Sequence, residues 1–195
     1  MSGLSAALER LDEITRRLRH ECPWDREQDE RSIVPHTVEE AYELADAAHS
    51  GDDAKLLDEL GDVLFQVYFL SLLLEERGQG SLAEVAEHCR QKLIRRHPHV
   101  FGDRAAETAG DVVRNWNEIK RDDERGGEIF GEIPETLPST LYAKKILKRA
   151  AAAGHEFRSD DRLLAAVQDV VAAGEDPELA LRKAADDYRR EVETG

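Results

Sequence analysis

TVEEAYELADAAHSGDDAKLLDELGD, residues 37–62, decides the fold. Thr37 and Glu40 have the spacing of a capping box, which predicts a helix running from Thr37 to about His49. Gly51 supplies the stop, and Asp52 or Asp53 caps a following helix predicted over roughly 53–77. Two helices joined by one short turn run antiparallel. The stretch carries nine acidic side chains and one basic one, Lys55. Glu40 and Glu43 are three positions apart, as are Glu59 and Asp62, so each helix shows a carboxylate pair on one face. Glu43 and Glu59 stand eight positions either side of Gly51, and Glu40 and Asp62 stand eleven. The two pairs therefore meet at matched levels across the turn.

Four carboxylates at such a contact repel and raise one another's pKa unless a cation is present, and hard oxygen ligands suit Mg²⁺ or Mn²⁺. A solvated acidic face is the ordinary explanation for any single glutamate, but it has no need of matched levels. Glu40, Glu43, Glu59 and Asp62 are thus the expected metal ligands. A ferritin-like di-metal oxidase would require Glu-x-x-His pairs on two helices, and the sequence has none.

Outward from the hairpin the pattern stays helical. The chain has 195 residues, of which 35% are charged and 41% hydrophobic, with 6 prolines and 13 glycines, the composition of an all-α protein. Leu4, Leu8, Leu11, Ile14 and Leu18 predict a first helix ending near Cys22-Pro23, with a polar loop beyond it in which Trp24 plugs the bundle. Between Val63 and Leu74 the second hairpin helix is apolar on almost every side, which predicts burial all round and a second copy of the chain to help cover it. Ser81 and Glu84 cap a helix whose stripe is Leu82, Val85, Cys89 and Leu93, and a further helix is expected over 111–125, ended by Gly126-Gly127. Residues 126–138 read as a linker.

The tail repeats part of the front. Glu84, Arg95 and Arg96 recur as Glu178, Arg189 and Arg190 at an offset of 94, and Ile14 and Arg17 recur as Ile146 and Arg149 at an offset of 132. The second copy lacks the acidic hairpin. The expected organisation is a catalytic helical domain over 1–125, a linker over 126–138 and a degenerate helical second repeat over 139–195.

A formal charge of −15 opposes binding to a nucleic-acid polymer. The apolar run at 63–74 is too short to span a bilayer, and Glu9, Arg10, Asp12 and Glu13 interrupt any export signal, so no membrane association and a cytoplasmic setting are expected. Arg90, Lys92, Arg95, Arg96 and His97 gather positive charge that suits phosphate oxygens, with surface ion pairing as the bland reading.

Several stretches together resemble the MazG family of nucleotide pyrophosphohydrolases. They are Glu39-Glu40-Ala41-Tyr42-Glu43 and Glu59-Leu60-Gly61-Asp62, preceded by Cys22-Pro23-Trp24-Asp25. KLIRRHPHVF at 92–101 and WNEIK at 116–120 follow them. The resemblance implies an all-helical bundle completed by homodimerisation, with a short C-terminal helical extension. It also implies metal-dependent hydrolysis of nucleoside triphosphates between the α- and β-phosphates, with Mg²⁺ as the ion and Mn²⁺ as a substitute. Glu40, Glu43, Glu59 and Asp62 are then the ligands. Glu39 is placed as the catalytic base or as a residue orienting a ligand, with a plain surface role still open. Lys55, Lys92, Arg95, Arg96, Trp116 and Lys120 are placed at the substrate. Lys55 has an ion pair with Glu59 as its rival role, and Trp116 has core packing. Relatives with two acidic hairpins leave a second reading for a chain with one: a catalytically weak regulatory or interaction module that retains a metal or nucleotide site.

Overall fold

The computed structural model describes the backbone of residues 3–125, 128–157 and 159–194, and every element in it is helical. The order is α1 Gly3–Glu21, α2 Pro23–Glu27, α3 Glu30–Ser50, α4 Asp53–Glu76, α5 Leu82–Arg96, α6 Pro98–Phe101, α7 Ala109–Arg125, α8 Ser139–Ala152, α9 Arg162–Ala172 and α10 Pro177–Thr194. The chain divides into two compact units, Met1–Arg95 and Arg96–Gly195. The expected all-α class holds. The stop expected at Gly126-Gly127 lies outside the described residues.

In the first unit α3 and α4 form the hairpin, and α1 lies along α4. Gly51 caps α3 at φ 70°, a left-handed conformation in which a side chain would clash with its own backbone. Asp52 then caps α4 by accepting from the amides of Ala54 and Lys55. The core is Ile33 of α3 with Phe69 and Leu73 of α4, joined by Phe65 and Leu70. Arg16 and Arg19 of α1 clasp the far end of α4. Each grips one glutamate, Glu75 or Glu76, through two nitrogens, and Arg19 also donates to the carbonyls of Asp25 and Gln28.

Three local expectations are corrected. The helix carrying Glu40 starts at Glu30, seven residues before Thr37, because Asp29 and Ser32 form the capping box there and the helix tolerates Pro35 in its interior. Thr37 instead uses its hydroxyl toward the Ile33 carbonyl and Gln66 Oε1, linking α3 to α4. The segment after Pro23 is the short helix α2, with proline at its first position, and Trp24 on it is 51% exposed against the edge of His36 rather than plugging the bundle. The apolar run of α4 is not covered all round. Within one chain Tyr68, Phe69, Leu72 and Leu73 of that run are buried, but Leu64 and Val67 remain 38% and 39% exposed, as do Leu57 and Leu60 before the run at 74% and 49%, since α1 and α3 cover only part of the helix.

In the second unit α8, α9 and α10 pack on one another. Thr140 and Lys144 of α8 bond to Glu178 and Asp176 at the start of α10. Thr108 and Asp111 close the first turn of α7 by reciprocal bonds.

Candidate metal centre

The α3–α4 hairpin brings Glu40, Glu43 and Glu59 together, each with a carboxylate oxygen within 4.8 Å of those of the others. The site sits roughly two helical turns from Gly51, where the sequence symmetry places it. Its three members differ in environment: Glu59 is buried at 8% exposure, Glu40 is half-buried and Glu43 is exposed. The Glu59 side chain enters the seam between the helices, and its Oε2 has no hydrogen-bond partner. A buried carboxylate oxygen without a donor is costly, and among the described residues nothing supplies one.

The electrostatics follow from this crowding. Burial, then the charges of Asp62, Glu43 and Glu59, push the Glu40 carboxyl above the ordinary glutamate value. Burial and then Glu43 push Glu59 up in the same direction, with Lys55 opposing. Asp62, one turn beyond Glu59, is not in the group of three but adds its negative charge to both Glu40 and Glu59. Three converging hard oxygens, one of them orphaned in the seam and two held with raised proton affinity, fit a divalent cation.

The other expected residues are distributed around and beyond this cluster. Glu39 lies outside the group of three and is exposed, 3.9 Å from His36 Nδ1. Lys55 is exposed and makes no ion pair of hydrogen-bond length with Glu59. It lines an open cavity of about 660 Å³ together with Asp58 and Asp62. Lys92 and Arg95 belong to the last turns of α5 in the first unit, Lys92 half-buried and Arg95 exposed. Arg96, Trp116 and Lys120 belong to the second unit. There the Arg96 guanidinium lies over the Trp116 ring at 5.4 Å and the His97 ring meets it edge-on at 4.9 Å. Lys120 lines a different cavity, with lysines of α8 that sequence reading passed over. Their spacing along α8 was a usable signal.

Residues 28–101 match the MazG nucleotide pyrophosphohydrolase domain. Over 187 residues the chain is 40% identical to an uncharacterised 26.1 kDa protein of Streptomyces cacaoi, covering 91% of this chain and 77% of that one. It is 39% identical over 156 residues to the nucleoside triphosphate pyrophosphohydrolase of Escherichia coli K12, covering 77% of this chain and 59% of the enzyme. With the nucleoside triphosphate pyrophosphohydrolase/pyrophosphatase MazG of Thermotoga maritima it shares 33% identity over 173 residues, 87% of this chain and 66% of that enzyme. The chain thus spans somewhat under two thirds of the length of both named enzymes. In structure it resembles a mazG-related protein from Thermotoga maritima, with a TM-score of 0.50 and 25% identity over 58% of this chain and 98% of the other.

Proposed function

Since the chain belongs to the MazG family, we propose that it is a metal-dependent nucleoside triphosphate pyrophosphohydrolase that cuts between the α- and β-phosphates. Water and a nucleoside triphosphate give a nucleoside monophosphate and pyrophosphate. The observation that carries this reading is the convergence of Glu40, Glu43 and Glu59 around an orphaned buried oxygen. Those three residues and Asp62 are the proposed ligands, for Mg²⁺ first and Mn²⁺ as a substitute. A bound divalent ion supplies neutralisation of phosphate charge and acidification of a water.

The chain's own side chains do the remaining work. Glu59, buried at the hairpin, supplies one ligand oxygen, and the two helices set the spacing of the others. Glu39, solvent-facing beside His36, is the proposed acceptor of the proton from the attacking water. Lys55 lines the open cavity together with Asp58 and Asp62, and is proposed to meet a phosphate oxygen. Lys92, Arg95 and Arg96 are proposed as the phosphate clamp, with Trp116 offering a ring face to the base; Lys120, expected beside them, lines the cavity of the α8 lysines. Residues 1–125 carry the chemistry in this reading, 126–138 link, and 139–195 form the degenerate repeat.

We further propose a homodimer, supported by the exposed stripe Leu57, Leu60, Leu64 and Val67. These residues recur at the three- and four-residue steps of a helix-packing seam. No helix among the described residues is long and apolar enough to cross a membrane. A reducing compartment such as the cytoplasm suits the free thiols of Cys22 and Cys89. House-cleaning of the nucleotide pool is the proposed role.

The test is pyrophosphate release from a panel of canonical, oxidised, deaminated and methylated nucleoside triphosphates, with Mg²⁺ and with EDTA, for the wild type and Glu43→Gln. Metal-dependent turnover that the variant loses is the expected result. A folded protein without metal-dependent turnover of any nucleotide would overturn the reading in favour of an interaction module.

A further inference from the structure

Five cations line one cavity in the second unit of a chain with 42 acidic and 27 basic residues. Lys120 of α7 faces it from one side, and Lys144, Lys145, Lys148 and Arg149 of α8 from the other. The cavity measures about 320 Å³, Leu137 and Leu141 give it an apolar wall, and among the described residues its lining holds no carboxylate. Lysine ordinarily extends into water. Here Lys120, Lys144 and Lys145 are all partly buried.

Two of the five charges are fixed in place. The Arg149 guanidinium is buried and donates to the carbonyls of Phe130 and Glu132, and Lys144 is tied to Asp176. Such anchoring sets the geometry of the group in advance and lowers the ordering cost of binding an anion. Lys148, by contrast, is exposed.

The internal repeat sharpens the point. At the offset of 132, Lys144, Lys145 and Lys148 occupy the positions of Asp12, Glu13 and Arg16 in α1. In α1 the first and last of these form an ion pair at 2.7 Å. In α8 the same i,i+4 spacing holds two lysines, of which Asp176 meets the first, Lys144. Both acids of the α1 pattern have become cations.

We propose that this cavity is a second anion site, taking an oligophosphate group of two or more linked phosphates without the help of a divalent cation. A chain of two or three linked phosphates offers five cations on two helices more oxygens and more charge than one tetrahedral phosphate does. The cavity is at the lower end of small-molecule sites, room for the phosphates and not for a whole nucleoside triphosphate. The leucine wall lowers the local dielectric and strengthens each contact. This inference does not rest on the hydrolase reading, since the carboxylate site needs a cation and this one supplies its own.

The test is calorimetry in EDTA with inorganic pyrophosphate, tripolyphosphate and orthophosphate, on the wild type, Lys148→Glu, Lys145→Glu/Lys148→Glu and Glu43→Gln. Saturable binding is expected, with tripolyphosphate tighter than pyrophosphate and pyrophosphate tighter than orthophosphate. Lys148→Glu is expected to weaken it by about tenfold, the loss of one charge-assisted contact, and the double variant by more. Glu43→Gln is expected to bind as the wild type does. Lys148 is exposed, so the single variant tests the site without disturbing a packed side chain. ATP in EDTA separates the sources: affinity equal to tripolyphosphate identifies the phosphate chain as what is read, and much tighter ATP identifies a nucleotide's phosphate tail. No heat with either oligophosphate would overturn the proposal. Binding unchanged in both lysine variants would do the same, as would displacement by a single-stranded oligonucleotide at lower concentration than by tripolyphosphate.

Discussion

Glu43→Gln is expected to move thermal stability in opposite directions with and without metal. Glu43 is exposed and has a carboxylate oxygen within 4.8 Å of one on Glu40 and one on Glu59, so the substitution removes charge without emptying a packed site. Two unit charges 4.8 Å apart in water repel by about 0.9 kcal/mol, and screening at about 0.1 M salt leaves roughly 0.5 kcal/mol for the Glu40 pair alone. For a unit the size of Met1–Arg95 that is a gain of about 2–4 °C in EDTA. A divalent ion at about a hundredfold excess over its Kd stabilises the wild type by about 2.7 kcal/mol, or about 10–20 °C, and the variant by much less. The melting temperatures should therefore cross. Trp24 is the reporter: the chain has two tryptophans, and a Trp116→Phe background leaves only the one in the first unit. Equal metal-induced shifts in both proteins, or a variant no more stable than the wild type in EDTA, would refute the reasoning.

Stability of the metal-free protein should rise slightly on acidification from pH 7 toward 5. Glu40 and Glu59 have folded pKa values raised above 4.5, so the folded state binds protons first and its repulsion is relieved. Below pH 4.5 the sign reverses. Glu75 and Glu76 are held below that value by Arg16 and Arg19, and their contribution is lost as pH falls through their folded pKa. Urea titrations across this range check both limbs, and saturating Mg²⁺ should remove the first. Arg19→Lys should cost about 1–3 kcal/mol by chemical denaturation, because an ammonium cannot meet Glu76 in bidentate fashion and also reach the carbonyls of Asp25 and Gln28. Leu60→Asp with Leu64→Asp should turn the proposed dimer into a monomer by analytical ultracentrifugation while leaving helix content unchanged, since both side chains face outward in a single chain.

The hairpin was legible because a single turn residue fixes everything around it. Once Gly51 ends α3, antiparallel geometry dictates which residue numbers lie level, and Glu40, Glu43 and Glu59 converge accordingly while Asp62 stays outside the group. The start of α3 was not legible from Thr37, whose spacing to Glu40 imitates a cap. Asp29 and Ser32 compete for the same role eight residues earlier, and Pro35 hides the continuity by removing one backbone donor from a helix that tertiary packing sustains regardless. The all-round apolar character of α4 could not tell which side the chain covers itself. Helix periodicity records which side chains avoid water and not whose surface removes them from it.

The basic cavity shows a further kind of hidden information. Lys144, Lys145 and Lys148 carry no motif, and read alone they are a polar helix face. Set against Asp12, Glu13 and Arg16 at the offset of the proposed repeat, they stand as cations where α1 has two acids and an arginine. Residues 139–195, the proposed degenerate repeat, also hold no counterpart of the acidic hairpin. Asp176 meets Lys144, and an arriving anion would offset the cost of gathering further cations on the same helix. The two proposed sites thus hold phosphate in two different ways in one chain: carboxylates acting through a cation in the first unit, and cations acting directly in the second.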